Sequence, residues 1–168
     1  MSLRLGTRGS QLAVWQARAV AAAIEQAGGP RCDIVVIKTS GDRLQEAPLA
    51  QVGGKRLFVK EIEDALLGGA IDLAVHSSKD MPAVLPDGLR IGAVLPREDP
   101  ADVVVLPQVN STSISVPSVT ALIQAVGARP RVGTSSVRRV AQLRNLMPQA
   151  SFAPMRGNLD TRLGKVDR

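Results

Sequence analysis

Two short segments in the last quarter of the chain combine arginines, hydroxyls and backbone N–H groups in a way that favours anion binding. The first, Gly133-Thr134-Ser135-Ser136, separates a predicted strand from a predicted helix, and Arg138 and Arg139 follow in the first helical turns. Free N–H groups and the positive end of the helix dipole attract an anion there, and the hydroxyls of Thr134 and Ser136 add donors. A capped helix with solvated arginines is the alternative interpretation.

The second segment, Arg156-Gly157-Asn158, repeats this order of strand, turn and helix. Gly157 permits close approach between the backbone and a ligand, and Arg162 follows in the next helix. If the two preceding strands are neighbours in one sheet, both turns open on the same edge of that sheet. A plain turn with solvated charges is the alternative interpretation.

The positive charge of the chain is concentrated around these segments. Residues 129–168 hold nine Lys or Arg and two acids, a net charge of +7, whereas the whole chain carries +6. Arg outnumbers Lys by 16 to 5 in the sequence. Forked guanidinium groups suit carboxylates and phosphates, so this composition indicates specific recognition of acidic groups rather than diffuse charge.

The first half of the chain carries a third strand-to-helix turn with an arginine, Thr7-Arg8-Gly9-Ser10, and Gln16 follows nearly two turns into the helix. The segment His76-Ser77-Ser78-Lys79-Asp80 follows a predicted apolar strand, at the end where α/β sheets hold ligands. Lys79 and Asp80 form either a solvated pair or a functional one, in which Asp80 holds a cationic or N–H-bearing substrate and Lys79 binds its carboxylates. The histidine of this segment is either a satisfied strand-end residue or a base.

Composition excludes several classes of protein. With 45% hydrophobic and 21% charged residues, the chain is expected to be globular with a buried core, without a membrane-spanning run. No signal-peptide core is visible, so we expect a cytoplasmic location. One Cys and one His leave no internal disulfide and no usual metal site. Two Phe, one Trp and no Tyr offer few stacking platforms for nucleic acid.

The hydrophobic pattern alternates between strands and helices, which indicates an α/β fold with mainly parallel sheets. Strands are expected at 3–6, 34–37, 71–76, 89–95, 102–106, 131–133 and 152–155, and helices at 11–27, 55–67, 118–126, 135–146 and from 158 onward. The strands at 34–37 and 71–76 are expected to be buried, the first on both faces. The expected buried face of the first helix consists of Leu12, Trp15, Ala19 and Ala22.

A charged, proline-flanked joint at 96–100 indicates a boundary between a domain at 1–98 and a second domain at 99–168. The stretch 41–54 is polar and interrupted, so we predict a mobile loop there. Its end, Gly53-Gly54-Lys55-Arg56, does not match a phosphate loop, because no strand leads into it and no Ser or Thr follows Lys55. The last helix is cut short and no segment returns to complete the first domain, so we expect the sequence to be truncated.

Seven segments, distributed along nearly all of the sequence, carry a specific resemblance to a known family. They are LGTRGS at 5–10, LAVWQA at 12–17, VGGKRLFVKE at 52–61, AVHSSKD at 74–80, REDP at 97–100, VGTSSVRR at 132–139 and RGNLDTR at 156–162. This set resembles the porphobilinogen deaminases, also called hydroxymethylbilane synthases. The resemblance implies an enzyme of tetrapyrrole biosynthesis that joins four porphobilinogen molecules head to tail, releases ammonia at each addition and finally frees hydroxymethylbilane by hydrolysis.

The resemblance also implies an architecture. It comprises two domains like those of type II periplasmic binding proteins, with helices on both faces of mainly parallel sheets, the active site in the cleft between them, and a third α+β domain. The implied partner is porphobilinogen, with no nucleic acid and no membrane, and the implied state is a monomer. Acetate and propionate side chains make each pyrrole anionic, which fits the Arg-rich segments.

The resemblance assigns roles to residues of this sequence. Asp80 is implied as the catalytic residue. Its carboxylate accepts hydrogen bonds from pyrrole N–H groups and stabilises the cationic azafulvene formed when ammonia leaves. A dipyrromethane cofactor is implied, with Lys79, Asp80, Ser136, Arg138, Arg139 and Gly157 at its site. Substrate-binding residues are implied at Arg8, Gln16, Ser77, Thr134, Arg156, Arg162 and Lys55. The stretch around 41–55 resembles the mobile active-site loop of the family.

One requirement of the family has no match in the sequence. Its members attach the cofactor through a cysteine of the third domain, whereas the single cysteine, Cys32, lies at a strand end of the first domain, where an inert thiol is expected. We therefore expect these 168 residues alone to lack covalent cofactor and turnover. The alternative function is a non-catalytic bilobal binding module for a small carboxylated solute, but such a module gains nothing from the carboxylate of Asp80 among arginines.

Overall fold

The structure is a computed structural model that describes residues 2–43, 57–107 and 118–166. The chain forms two compact units, Met1–Asp99 and Pro100–Arg168, close to the predicted division after residue 98. Each unit contains a parallel β-sheet and helices, which confirms an α/β fold with parallel sheets. Among the described helices, none has both the length and the apolar character needed to cross a membrane.

The first unit is built on a three-stranded parallel sheet. Its elements are β1 (Leu3–Thr7), α1 (Gln11–Gln26), β2 (Cys32–Val36), α2 (Ser40–Arg43), α3 (Lys60–Leu67), β3 (Leu73–Ala74) and a 3₁₀ turn (Ser78–Asp80). The strand order is β2-β1-β3, so β1 is central. Because all three strands are parallel, the residues that follow β1 and β3 emerge at the same edge of the sheet.

The core of the first unit forms where α1 packs on the central strand. Leu5 and Ala17 are fully buried and Ala21 is 8% exposed. Ser10 caps α1, as its position before the apolar run predicts, and its side chain accepts from the Ala13 N–H group. The predicted buried face of α1 is wrong, because Leu12 and Trp15 are 47% and 58% exposed. The helix instead turns its small alanines toward the sheet, which allows a close approach.

Several predicted strands also differ from the structure. The strand at 34–37 is not buried on both faces, because β2 is an edge strand in the described sheet and Val36 is 54% exposed. The strand predicted at 71–76 is reduced to the two residues of β3. The segments 89–95 and 102–106 form neither strand nor helix within the described residues. An apolar extended segment becomes a strand only where a neighbouring strand offers hydrogen bonds, which local sequence does not encode.

The second unit contains a two-stranded parallel sheet. Its elements are α4 (Val119–Val126), β4 (Arg131–Gly133), α5 (Val137–Leu146), β5 (Ser151–Ala153) and α6 (Leu159–Val166). Val132 lies opposite Phe152, and Gly133 lies opposite Ala153. The two strands are therefore neighbours, as the sequence analysis required, and the turns that follow them share one edge of the sheet.

Arg4 and Asp72 tie β1 to the start of β3. The N–H group and the Nη2 atom of Arg4 each donate to the Asp72 carboxylate at 2.7 Å. In return, the Asp72 N–H group donates to the Arg4 carbonyl oxygen at 2.8 Å. The hydrogen bonds from Arg4 lower the pKa of Asp72 to about 2.

We predict that Asp72→Asn reduces the acid sensitivity of the protein. The folded-state pKa of about 2 lies below the ordinary value of 3.8, so the carboxylate stabilises the fold fully above that ordinary value. The contribution is lost as the pH falls toward about 2. Urea unfolding at about pH 6 and about pH 3 measures the effect, and the variant is expected to lose less stability between them than the unchanged protein. Equal losses in the two proteins contradict the prediction.

Candidate functional site

In the first unit, Arg8 lies between two carboxylates at the edge of the sheet. Its Nε and Nη2 atoms donate to Oδ1 of Asp42 at 3.1 and 2.5 Å, and its Nη1 atom lies 3.7 Å from Oδ2 of Asp80. The Arg8 guanidinium also stacks over the ring of Phe58, 4.3 Å from its centre. Asp42 thus takes one edge of the guanidinium group and leaves the Nη1 atom directed toward Asp80.

Asp42 is a site residue that the sequence analysis missed. It lies in α2, a four-residue helix within a stretch that we predicted to be loop. The Thr39 hydroxyl donates to its Oδ2 atom at 2.8 Å. Burial raises the pKa of Asp42, but hydrogen bonds from Arg8 and Thr39 outweigh burial and lower it below the ordinary value. Asp42 is therefore a charged partner that holds Arg8 in place.

The α2 helix is in turn fixed to the start of α3. The Ser40 N–H and hydroxyl groups both donate to Oε1 of Glu61, at 2.8 and 2.5 Å. The N–H group of Gly41 donates to the Leu57 carbonyl oxygen at 2.8 Å. A Cβ at Gly41 would lie only 2.3 Å from the ring of Phe58, so glycine is required for this close packing. The helix that carries Asp42 is thus packed against the ring that stacks on Arg8.

The segment after β3 brings Asp80 to the same edge. Asp80 ends the 3₁₀ turn, and its side chain is 25% exposed. The Ser77 hydroxyl donates to Oε1 of Gln16 at 3.2 Å, so these two predicted site residues are also brought together. Lys79 is exposed, and within the described residues the ion pair of Asp80 is with Arg8.

His76 lies just before this turn and is half-buried. Burial lowers its pKa, and this effect exceeds the opposing influence of the carboxylates of Asp80 and Glu63. Burial therefore favours the neutral form of the imidazole, the form that can accept a proton.

In the second unit, the turn after β4 is closely hydrogen-bonded within itself. The Ser136 side chain accepts from the Arg139 N–H group at 3.3 Å and so caps α5. The Ser136 N–H group donates to the Thr134 hydroxyl at 3.2 Å, and the Thr134 N–H group donates to the Ala153 carbonyl oxygen at 2.9 Å. The N–H groups of Thr134, Ser136 and Arg139 are thus hydrogen-bonded within the chain, so a ligand at this turn would meet the side-chain hydroxyls and guanidinium groups instead.

Arg138 and Arg139, which we call the arginine pair, converge on one carboxylate. Nη2 of Arg139 donates to Oδ1 of Asp102 at 2.6 Å, and Nη2 of Arg138 donates to Oδ2 at 3.1 Å. The hydrogen bond from Arg139 lowers the pKa of Asp102, and the hydrogen bond from Arg138 lowers it further. Together they outweigh burial, which raises it. Both arginines are thus ion-paired with Asp102, although their side chains stay largely exposed. Asp102 was missed because its segment was predicted to be a strand.

The turn after β5 adds further cationic groups. Gly157 has a φ of +110°, a conformation that favours glycine. The Nε atom of Arg162 is buried without a hydrogen-bond partner in the described part of the chain, while the Arg156 carbonyl oxygen accepts from Lys165 at 3.0 Å. Lys55 lies outside the described residues. A groove within the second unit collects several of the predicted residues, and it is lined among others by Asp102, Thr134, Ser136, Arg139 and Arg162.

We predict that Gly157→Ala destabilises the second unit by about 1–3 kcal/mol. A Cβ at this position would lie 2.7 Å from Cγ2 of Thr161, in addition to the unfavourable φ. Gly164, in α6, has open space around its Cβ position and supplies the control. Gly164→Ala is expected to be neutral or to stabilise by up to about 1 kcal/mol, because Ala has the higher helix propensity. Chemical denaturation measures both variants, and equal effects would argue against strain at Gly157.

The described residues contain no group of three or more His, Cys, Asp or Glu placed to hold a metal ion. The chemistry available from them is that of carboxylates, guanidinium groups and hydroxyls. Such a set binds acidic ligands and stabilises positive charge on a bound molecule.

Comparison with known proteins gives consistent matches. Residues 3–168 match the family described as "Porphobilinogen deaminase, dipyromethane cofactor binding domain". The chain is 50% identical over 169 residues to a porphobilinogen deaminase of Moorella thermoacetica, a match that covers 100% of this chain and 50% of that protein. Porphobilinogen deaminases of Syntrophobacter fumaroxidans and Syntrophus aciditrophicus are 50% and 49% identical, each over 98% of this chain and 50% of the relative. The chain spans about half the length of these curated relatives.

Proposed function

Because the chain belongs to the porphobilinogen deaminase family and matches its dipyrromethane cofactor-binding domain, we propose that the protein acts as a hydroxymethylbilane synthase. This transferase of tetrapyrrole biosynthesis converts four porphobilinogen molecules and one water into hydroxymethylbilane and four ammonia. The observation that carries the proposal is the meeting of Arg8 and Asp80, which come from separate family motifs, at 3.7 Å on one sheet edge.

The second unit fits a cofactor with several carboxylates. The arginine pair, the hydroxyls of Thr134 and Ser136, and the buried Nε atom of Arg162 form a donor set suited to carboxylates. We propose that this set binds the acetate and propionate groups of dipyrromethane together with Gly157, and that Lys79 and Asp80 of the first unit contribute to the same site. When bound, the cofactor supplies the pyrrole to which the substrate is added.

The first unit supplies the groups that act on the substrate. In the proposed mechanism the Asp80 carboxylate accepts a hydrogen bond from the pyrrole N–H group of porphobilinogen. It also stabilises the cationic azafulvene left when ammonia departs. The same carboxylate takes part in proton transfer during the addition. Arg8, held by Asp42, binds a substrate carboxylate beside it, and Gln16 and Ser77 position the ring from the same sheet edge.

The remaining substrate contacts and the architecture follow from the resemblance. We propose that Thr134, Arg156, Arg162 and Lys55 bind carboxylates of the substrate or growing chain. Domains at 1–98 and 99–168 would correspond to the two domains of type II periplasmic binding proteins, with the active site in the cleft between them. A cytoplasmic monomer is proposed, and the cofactor-bearing cysteine is assigned to a third domain rather than to Cys32.

The experiment is to supply the purified complete protein with porphobilinogen and to measure ammonia and hydroxymethylbilane by mass spectrometry. The expected ratio is four ammonia to one hydroxymethylbilane, and absence of both products contradicts the proposed function. Intact mass of the 168-residue chain alone tests the assignment of Cys32. No added pyrrole is expected, whereas a covalently attached dipyrromethane would show that Cys32 carries the cofactor.

A further inference from the structure

The arginine pair is already occupied by a carboxylate of the chain itself. Asp102 receives hydrogen bonds from Nε and Nη2 of Arg139, at 3.1 and 2.6 Å, and from Nη2 of Arg138 at 3.1 Å. All three side chains are substantially exposed, at 41% for Asp102, 59% for Arg138 and 43% for Arg139. The contact is therefore open to exchange with a ligand from solution.

The geometry of this contact is that expected for a bound carboxylate ligand. Two guanidinium groups meet one carboxylate: Arg139 donates to its Oδ1 atom, and Arg138 donates to Oδ2 at 3.1 Å and to Oδ1 at 3.5 Å. Asp102 also lines the groove that contains Thr134, Ser136 and Arg162, so it stands among the other donors for acidic groups. An acidic ligand that takes both arginines must displace Asp102 or share them with it.

We propose that Asp102 is a specificity-determining residue, an internal carboxylate that occupies the arginine pair until a ligand carboxylate replaces it. This inference rests on the proposed function only for the identity of the natural ligand. Asp102 keeps two neighbouring guanidinium groups from repelling each other in the unliganded protein. It also competes with every anion that approaches the pair, so ligands with one acidic group bind poorly. A ligand with several carboxylates overcomes the competition because it gains further contacts in the groove.

The size of this competition follows from the exposure of the ion pairs. Exposed ion pairs stabilise by an amount that corresponds to at most about fivefold in an equilibrium constant. Removal of the Asp102 carboxylate is therefore expected to raise the affinity of the pair for an added carboxylate by about fivefold. If Asp102 instead only positioned the arginines, its removal would lower that affinity.

The test is acetate binding by the unchanged protein and by the Asp102→Asn and Asp102→Ser variants, each as the complete protein free of the cofactor. Binding is monitored by NMR on the Nε resonances of Arg138 and Arg139. Both variants are expected to bind acetate about fivefold more tightly than the unchanged protein. Asp87→Asn removes the same charge from an exposed position of the first unit and is expected to change the affinity less than twofold. An unreactive tetracarboxylate, butane-1,2,3,4-tetracarboxylate, is expected to gain affinity in the two Asp102 variants as well.

Unchanged or weaker acetate binding in both Asp102 variants overturns the proposal. Equal gains in Asp87→Asn also overturn it, because the effect is then one of overall charge. Porphobilinogen turnover is measured separately on the unchanged protein. Tighter acetate binding by the Asp102 variants without any turnover by the unchanged protein would uphold the role of Asp102 and refute the proposed function. Normal turnover without tighter acetate binding would uphold the proposed function and refute the role of Asp102.

Discussion

Replacing Asp80 by Asn in the complete protein is expected to lower kcat for porphobilinogen by about 100-fold or more. The amide keeps the shape of the side chain but carries no negative charge and cannot take up a proton. It therefore fails to stabilise a cationic pyrrole intermediate, which is the role proposed for the carboxylate. Asp80→Ala is expected to have an effect at least as large, because it also removes the hydrogen-bond acceptor.

The same variant separates the enzyme from a non-catalytic binding module. Binding of butane-1,2,3,4-tetracarboxylate, which we attribute to arginines, is expected to change less than about threefold in Asp80→Asn. Asp87→Asn is the matched control, since Asp87 is exposed in the same unit, and its turnover is expected to be normal. Near-normal turnover in Asp80→Asn would refute the assigned role. Joint loss of turnover, tetracarboxylate binding and folding stability would indicate a structural role instead.

The positions of the functional turns were predictable because they depend on local chemistry. Ser10, Ser118 and Ser136 each precede an apolar helical pattern, and each caps a helix in the structure. Apolar segments before these turns predict strands, and parallel strands place their following residues on one edge. These rules placed Arg8 and Asp80 each just after a strand, and they allowed the turns after β4 and β5 to adjoin if those strands are neighbours.

The partners of the arginines were not predictable in the same way. Asp42 and Asp102 lie 34 and 37 residues from Arg8 and Arg139, so no spacing rule connects them. Both acids stand in stretches whose local structure was also predicted wrongly, as loop and as strand. A partly buried arginine needs a carboxylate partner, but the burial of Arg8 is visible only in the structure. Which acid supplies it depends on how distant segments pack, as does the buried face of α1.

The second large effect is expected at Asp42. Asp42→Asn removes the closer of the two carboxylates beside Arg8, whose side chain is only 16% exposed. We expect a loss of about 1–3 kcal/mol in the free energy of unfolding, because a partly buried charge then loses its hydrogen-bonded partner. We also expect kcat for porphobilinogen to fall by about tenfold or more. The freed guanidinium can turn fully toward Asp80, form a closer ion pair with it and neutralise the carboxylate that the reaction requires.

A double-mutant cycle with Arg8→Gln tests this explanation. If Asp42 stabilises the fold by compensating Arg8, the stability lost in Asp42→Asn is expected to shrink by about 1 kcal/mol or more when Arg8 is already Gln. Asp64→Asn is the control, because Asp64 forms an exposed ion pair with Lys60 at 2.7 Å and is expected to change stability by less than about 0.5 kcal/mol. Additive losses at Arg8 and Asp42 would mean that Asp42 acts on the fold through Thr39 and α2 alone. The same cycle tests the effect on turnover. If Asp42 acts by positioning Arg8, Asp42→Asn is expected to lower kcat little further once Arg8 is already Gln. Additive falls in kcat would mean that Asp42 affects turnover through a residue other than Arg8.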